Sequence, residues 1–186
     1  ASTDGAPPIR IAGRDLPETD HTPIRVILGP QDDYFDPEVI AQFLSSRFEV
    51  STRVDRMASV LDGVPLIAAH GHDIISDGTV PGAIQVPGSG QPLILMAEAQ
   101  TTGGYPKIAT IIGADLRRVA QTPPGHALLF AAVTSEEAEA ALLGCRNRHR
   151  EILKSVRLAE FGQPGTARLF DANLISGVWG RETGNE

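Results

Sequence analysis

The stretch GHDIISDGTVPGAIQVPGSGQPLILMAEAQTTGGYPK, Gly71–Lys107, decides how this chain is read. Its two apolar segments, Ile84–Val86 and Leu93–Ala97, are short and are separated by glycine, proline and small polar residues. Short β-rich runs bounded by such residues read as strands, and the polar pieces between them as loops presented by a rigid scaffold. Three of those pieces, HGHDIISDG (His70–Gly78), GAIQVPGSGQP (Gly82–Pro92) and EAQTTGGYPK (Glu98–Lys107), hold more donors, acceptors and charges than turns require. A functional site is expected there.

Outward from this stretch the elements stay short. Ile24–Leu28 (IRVIL), Phe48–Val54 (FEVSTRV), Arg56–Leu61 and Ile108–Ile112 read as strands. Ala127–Val133 (ALLFAAV) reads as a strand buried on both faces or nearly so. Asp36-Pro37-Glu38 opens a helix, with aspartate at N-cap, proline at N1 and an acid in the first turn; Val39, Ile40, Phe43 and Leu44 then fall on one face. Asp115 is placed to cap a short helix, Leu116–Gln121. Thr134 and Glu137 form a capping box for a helix running to about Ser155, with Ala138, Ala141, Leu142, Cys145, Ile152 and Leu153 at helical spacing. The basic residues Arg146, Arg148, Arg150 and Lys154 of its C-terminal half read as a solvated face that complements the helix dipole. A last strand is expected at Arg168–Ile175. Regular strand–helix alternation is missing from the middle third, so a doubly wound fold is disfavoured. The expected fold is mainly β, a β-barrel with one or two peripheral helices.

Composition frames this reading. The chain has 186 residues, 41% of them hydrophobic and 21% charged, as in ordinary soluble domains. A net charge of −7 argues against nonspecific binding to nucleic acid or anionic membranes. Nineteen glycines and 14 prolines imply many turns, and 5% aromatic content implies an aliphatic core. The single cysteine, Cys145, excludes an intrachain disulfide and reads as a core residue. No apolar run approaches the ~20 residues of a membrane span, and no signal peptide is visible, so the expected location is cytoplasmic. The polar, proline-rich opening lacks an initiator methionine. Residues 1–23 are read as a linker or the remnant of an upstream domain, 24–178 as the barrel domain and 179–186 as a polar tail.

The loops offer chemistry beside plainer roles. In QTTGGYPK, Gln100, Thr101 and Thr102 supply amide and hydroxyl groups, Gly103-Gly104 lets backbone N–H groups approach a ligand, Tyr105 adds a phenol and Lys107 a positive charge. Together they suit a carboxylate, a carboxyphosphate-like anion or an enolate oxygen; a hairpin with polar turn residues explains them equally well. In HGHDIISDG, His70 and Asp77 are candidates for proton transfer, set against loop hydrogen bonding. A third metal ligand is not evident, and no metal is expected. Gln85, on a short strand, either orients a planar substrate or is a structural amide. Arg56 is either a buried ion-pair partner or an anion clamp, and Asp32 and Asp33 are weak acid–base candidates. The P-loop, G-x-G-x-x-G and G-x-S-x-G patterns are all absent.

GPQDDYF (29–35), DRM (55–57), HGHDIISDGTVPGAIQVPGSGQP (70–92) and QTTGGYPKIA (100–109) resemble the allophanate hydrolase subunit 2 family, which includes KipA-like proteins, the C-type component of 5-oxoprolinase and the carboxyltransferase portion of urea carboxylase. The resemblance is strongest over residues 24–133. It implies a cyclophilin-like barrel preceded by a further domain, and a partner of the subunit 1 or KipI-like type, with a LamB/YcsF-type third subunit in 5-oxoprolinase. It implies ATP-dependent opening of 5-oxoproline to glutamate by a complex, with biotin-dependent carboxyl transfer and KipA-like regulation of a kinase inhibitor as the alternatives. ATP is then used by the complex, and biotin enters only with carboxyl transfer. On that footing Gln100, Thr102, Gly103, Tyr105 and Arg56 are assigned to substrate binding and Gln85 to orientation. His70, Asp77 and Lys107 are assigned to catalysis. Many relatives carry glycine, tyrosine and arginine where this chain has Ala58, Ser59 and Val60, and arginine where it has Ala99.

Overall fold

A computed structural model describes residues 9–11 and 22–158. In chain order the elements are β1 (Ile9–Ile11), β2 (Ile24–Leu28), α1 (Pro37–Ser45), β3 (Phe48–Val54), β4 (Ala58–Asp62), β5 (Asp77–Gly78), β6 (Ala83–Gln85), β7 (Leu93–Leu95), β8 (Thr102–Gly103), β9 (Lys107–Ile111), α2 (Leu116–Ala120), β10 (Ala127–Leu128), β11 (Phe130–Ala132), α3 (Ser135–Ser155) and β12 (Val156–Leu158). A 3-10 turn covers Asp32–Tyr34. The chain divides into a unit of residues 16–149 and a second, contributed by 1–15 and 150–186. In the second, β1 pairs antiparallel with β12, so a strand lies within the opening that reads as linker. The strand expected at Arg168–Ile175 lies outside the described residues.

The larger unit is mainly β. Eight strands hydrogen-bond in the order β10-β3-β4-β7-β6-β9-β2-β11. Its outer strands, β10 and β11, are separated in sequence only by Leu129. β10 runs antiparallel to β3 at one margin, and β11 runs parallel to β2 at the other. One segment of chain therefore serves both margins and nearly closes the sheet into a barrel, which leaves little unpaired edge. This corrects the reading of 127–133 as a strand buried on both faces: Leu128 and Phe130 point into the core while Ala132 is exposed.

The core also departs from the aliphatic expectation. Val26, Val50, Leu61, Leu66, Ile84, Ile94 and Ile108 are buried, but so are Phe35, Phe43, Phe48 and Phe130. The Phe43 ring stacks on Phe130 at 4.7 Å, and Phe48 lies 6.0 Å from both. Few aromatics in a chain do not make an aliphatic core when the large apolar ones gather in it. α1 brings Phe43 to this cluster with Val39, Ile40 and Leu44 packed beside it, as their spacing predicts. Its N-cap differs from expectation: the Asp36 side chain makes no capping bond, and its carbonyl receives the N–H groups of Val39 and Ile40.

The capping box of α3 forms as read, with Glu137 N–H donating to Thr134 Oγ1 at 3.2 Å and Thr134 N–H donating to Glu137 Oε2 at 2.8 Å. Cys145 is buried with Ile112 and Ala114, against Ala138 and Ala141, whereas Leu153 is exposed. β4 starts at Ala58, later than the Arg56 expected, because the Asp55 carboxylate receives the N–H groups of Met57 and Ala58 and holds that segment as a turn. Asp115 does not cap α2; its carboxylate is turned to Arg25. Among the described residues no helix is long and apolar enough to cross a membrane.

Candidate functional site

Gln85 and Lys107 face each other across β6 and β9 after an irregularity that follows the Ile84–Ala109 pair. Directly opposed residues share a face of the sheet, and such a bulge re-aims side chains. Both residues are buried, Gln85 at 5% and Lys107 at 2% exposure. A buried ammonium is costly without a partner. Lys107 Nζ has two: Asp77 Oδ2 at 2.8 Å and the Gly78 carbonyl at 3.2 Å.

Asp77 is held in place from several sides. β5 and β8 form a two-stranded ladder in which Asp77 opposes Gly103 and Gly78 opposes Thr102. Thr79 N–H donates to the Thr101 carbonyl at 3.0 Å, Ile74 N–H to the Gly104 carbonyl at 2.8 Å, and Thr79 Oγ1 to the Gln100 carbonyl. The loops 72–79 and 100–105, separate in sequence, are thus one structure. The Lys107 ammonium bonded to Asp77 holds its carboxyl below the usual carboxylate range, aided by the Gly78 N–H and by Gln31. That side chain remains half-exposed.

Gln31 completes the cluster, and sequence reading missed it. Its Nε2 donates to Asp77 Oδ2 at 3.2 Å and its Oε1 accepts from Lys107 N–H at 3.2 Å. Its own N–H donates to the Lys107 carbonyl at 3.1 Å. Gln31 therefore brackets the Lys107 backbone while it touches Asp77. The only signal in sequence was its place in GPQDDYF, where the neighbouring carboxylates are the more conspicuous groups. Of those, Asp32 lies folded back toward Gly29, whose added Cβ would meet Asp32 Oδ1 at 2.9 Å.

The Gln85 amide is chemically open, as is the buried Ser59 hydroxyl on β4. Among the described residues Gln85 Nε2 has no hydrogen-bond partner. A Cβ on Gly103 would collide with it, so the bare Gly103 backbone is what gives the amide room. A buried donor left unmade costs about 1–3 kcal/mol and is therefore suited to a carbonyl acceptor brought by a ligand.

The structure distributes the remaining expected residues around this centre. Gln100, Thr102 and Tyr105 are exposed on the paired loops. His70 is exposed and meets the Tyr34 ring edge-to-face at 6.3 Å; it takes no part in the Lys107–Asp77 hydrogen bonding. Arg56 is neither buried nor free as an anion clamp: it is 82% exposed and ion-paired with Glu98 at 2.5 Å, at the base of the 98–105 loop. Among the described residues no three His, Cys, Asp or Glu side chains converge as metal ligands.

Residues 3–132 match the family described as carboxyltransferase domain, subdomain A and B. The C-type component of 5-oxoprolinase from Escherichia coli (strain K12) is 42% identical over 115 residues, which cover 62% of this chain and 37% of that protein. The component of the same name from Haemophilus influenzae is 44% identical over 93 residues, 50% of this chain and 30% of that protein. Among solved structures, the urea amidolyase of K. lactis superposes with a TM-score of 0.60 at 25% identity, over 67% of this chain and 8% of that one. The chain thus spans about a third of the length of the curated relatives it matches.

Proposed function

We propose that this chain, which belongs to the carboxyltransferase domain (subdomain A and B) family, serves in an ATP-dependent 5-oxoprolinase complex that opens 5-oxoproline to glutamate. The observation that carries this reading is the orphan Gln85 amide N–H buried opposite the Asp77-paired Lys107. A lactam presents a carbonyl acceptor and, as its ring opens, negative charge on oxygen. Gln85 Nε2 donates to the carbonyl, and Lys107 stabilises the developing charge in a water-poor setting where such interactions are strong. Asp77, with its lowered pKa, is a poor proton acceptor near neutrality; its role is to anchor Lys107. Gln100, Thr102 and Tyr105, on the loops above, contact the substrate's polar atoms. His70 stands aside from the ion pair and is left a role at the rim.

A triphosphate fits this centre poorly, because one buried ammonium shared with Asp77 can answer a single developing charge but not the several charges of a triphosphate; ATP is used elsewhere in the complex. The ureido carbonyl of biotin fits the Gln85 donor as a lactam carbonyl does. The family description and the urea amidolyase likeness favour carboxyl transfer as the second reading.

The test is ATP-dependent release of glutamate from 5-oxoproline by the full protein, reconstituted with KipI-like and LamB/YcsF-type subunits, with and without the polypeptide that carries this chain. Turnover that requires it is expected. No turnover from a folded, associated complex would sink the oxoprolinase reading in favour of carboxyl transfer or regulatory binding.

Gly103→Ala tests the Gln85 assignment in the same assay. The new Cβ must displace the Gln85 amide and press on the Thr79 methyl at 3.1 Å, both ends of side chains rather than backbone, so the fold survives. The expected result is a fall in kcat/KM of about tenfold, the equivalent of one hydrogen bond, with an unchanged melting temperature. Unaltered kinetics would remove Gln85 from the site.

A further inference from the structure

Outside the Lys107 centre the described residues gather a second set of charges. Arg25 of β2, Arg117 and Arg118 of α2 and Arg148 of α3 line one cavity of about 390 Å³, together with Asp115. Four guanidinium groups and one carboxylate leave a strongly positive site on a chain whose net charge is −7. The volume falls within the range of about 300–1,000 Å³ typical of small-molecule sites.

The cavity has a built floor. Asp115 is 2% exposed and receives Arg25 N–H at 3.0 Å, Arg25 Nε at 2.9 Å and an Arg25 terminal nitrogen at 2.7 Å. Arg118 lies 3.5 Å from the same carboxylate and also donates to the Thr22 and Pro23 carbonyls. These bonds set the orientation of two arginines in advance. Arg117 and Arg148 are exposed, and among the described residues neither has a carboxylate partner. Arg148 belongs to the basic run of α3 that reads in sequence as a solvated face; it is exposed as read, and it also lines the wall of this cavity.

We propose that this cavity binds a phosphate ester. Guanidinium groups match phosphate oxygens in fork geometry and with charge-assisted bonds. A planar carboxylate satisfies one fork, whereas a tetrahedral phosphate presents oxygens in several directions. Arginines arriving from β2, α2 and α3 suit the second shape. The site does not depend on the activity proposed for the Lys107 centre.

The experiment is titration calorimetry of the full protein with inorganic pyrophosphate at low ionic strength, with succinate, a dianion whose carboxylate groups are each planar, as the comparison. Saturable pyrophosphate binding is expected, weakened by salt and at least about tenfold tighter than succinate. The double variant Arg117→Gln/Arg148→Gln should weaken it by about tenfold or more. Arg146→Gln/Lys154→Gln, which removes equal charge from outside the cavity lining, should leave it within about twofold. The replaced side chains are exposed, and a melting curve verifies that each variant is folded. No saturable heat up to about 10 mM pyrophosphate, equal loss in the two double variants, or equal affinity for succinate would each overturn the proposal.

Discussion

Lys107→Met is expected to lower turnover of the reconstituted complex by about 10²–10³-fold, the size of effect seen when one preorganised donor to a developing anion is removed. Methionine keeps an unbranched apolar stem in the buried position and deletes the ammonium. The carboxylate left behind is half-exposed, so water replaces the lost partner and the fold is retained. A pH titration separates loss of the charge from general damage. In the unaltered protein the folded-state pKa of Asp77 is depressed, with Lys107 as the first cause. The pair therefore stabilises the fold fully above the ordinary carboxylate value of about 4, and that stability is lost as pH falls through the lowered value. In Lys107→Met the carboxyl should titrate closer to its ordinary range, visible as a higher Asp77 pKa by carbon-detected NMR. Retained turnover together with the raised Asp77 pKa would show that the ion pair is structural and that the catalytic assignment is wrong.

Asp115→Asn is expected to be the most destabilising single change at either site, at about 1.5–3 kcal/mol, the loss of charge-assisted hydrogen bonds to arginines that water still reaches. The carboxylate is buried beneath Arg25 and Arg118, and asparagine leaves their charges without a counter-ion while offering one acceptor in place of two. Burial by itself would raise the Asp115 pKa, but the hydrogen bonds and charge of Arg25 outweigh it and the net direction is down. Its contribution is thus present above about pH 4 and fades as pH falls through the lowered folded value. At this size each kcal/mol moves the melting temperature by about 2–4 °C, so a drop of about 5–10 °C is expected. Urea denaturation should give a lower midpoint with an unchanged slope. The Arg25→Gln/Asp115→Asn pair should lose less than the sum of its single variants. A loss below about 1 kcal/mol, the level of an exposed pair, would mean that the bridge does not hold β2 to α2.

Local patterns in the chain determined much of this protein. The capping box of α3, the apolar face of α1 and most barrel strands lie within a few residues of where periodicity and turn chemistry put them, because these signals act between neighbours in sequence. The polar loops of 70–107 stood out as a candidate site for the same reason, and Lys107, Asp77 and Gln85, which the structure groups together, all fall in that stretch. Tertiary structure alone decided which of these groups meet. The Gln31 bracket on Lys107 spans 76 residues and the Arg25–Asp115 bridge spans 90, distances over which no periodicity carries information. Gln85 faces Lys107 only through the irregular register of β6 and β9, and its amide is left open only where Gly103 passes without a side chain. Barrel closure likewise depends on one run, Ala127–Ala132, dividing its hydrogen bonds between β3 and β2. A strand's own sequence sets its propensity and its buried face; its neighbours are set by the packing of the whole sheet.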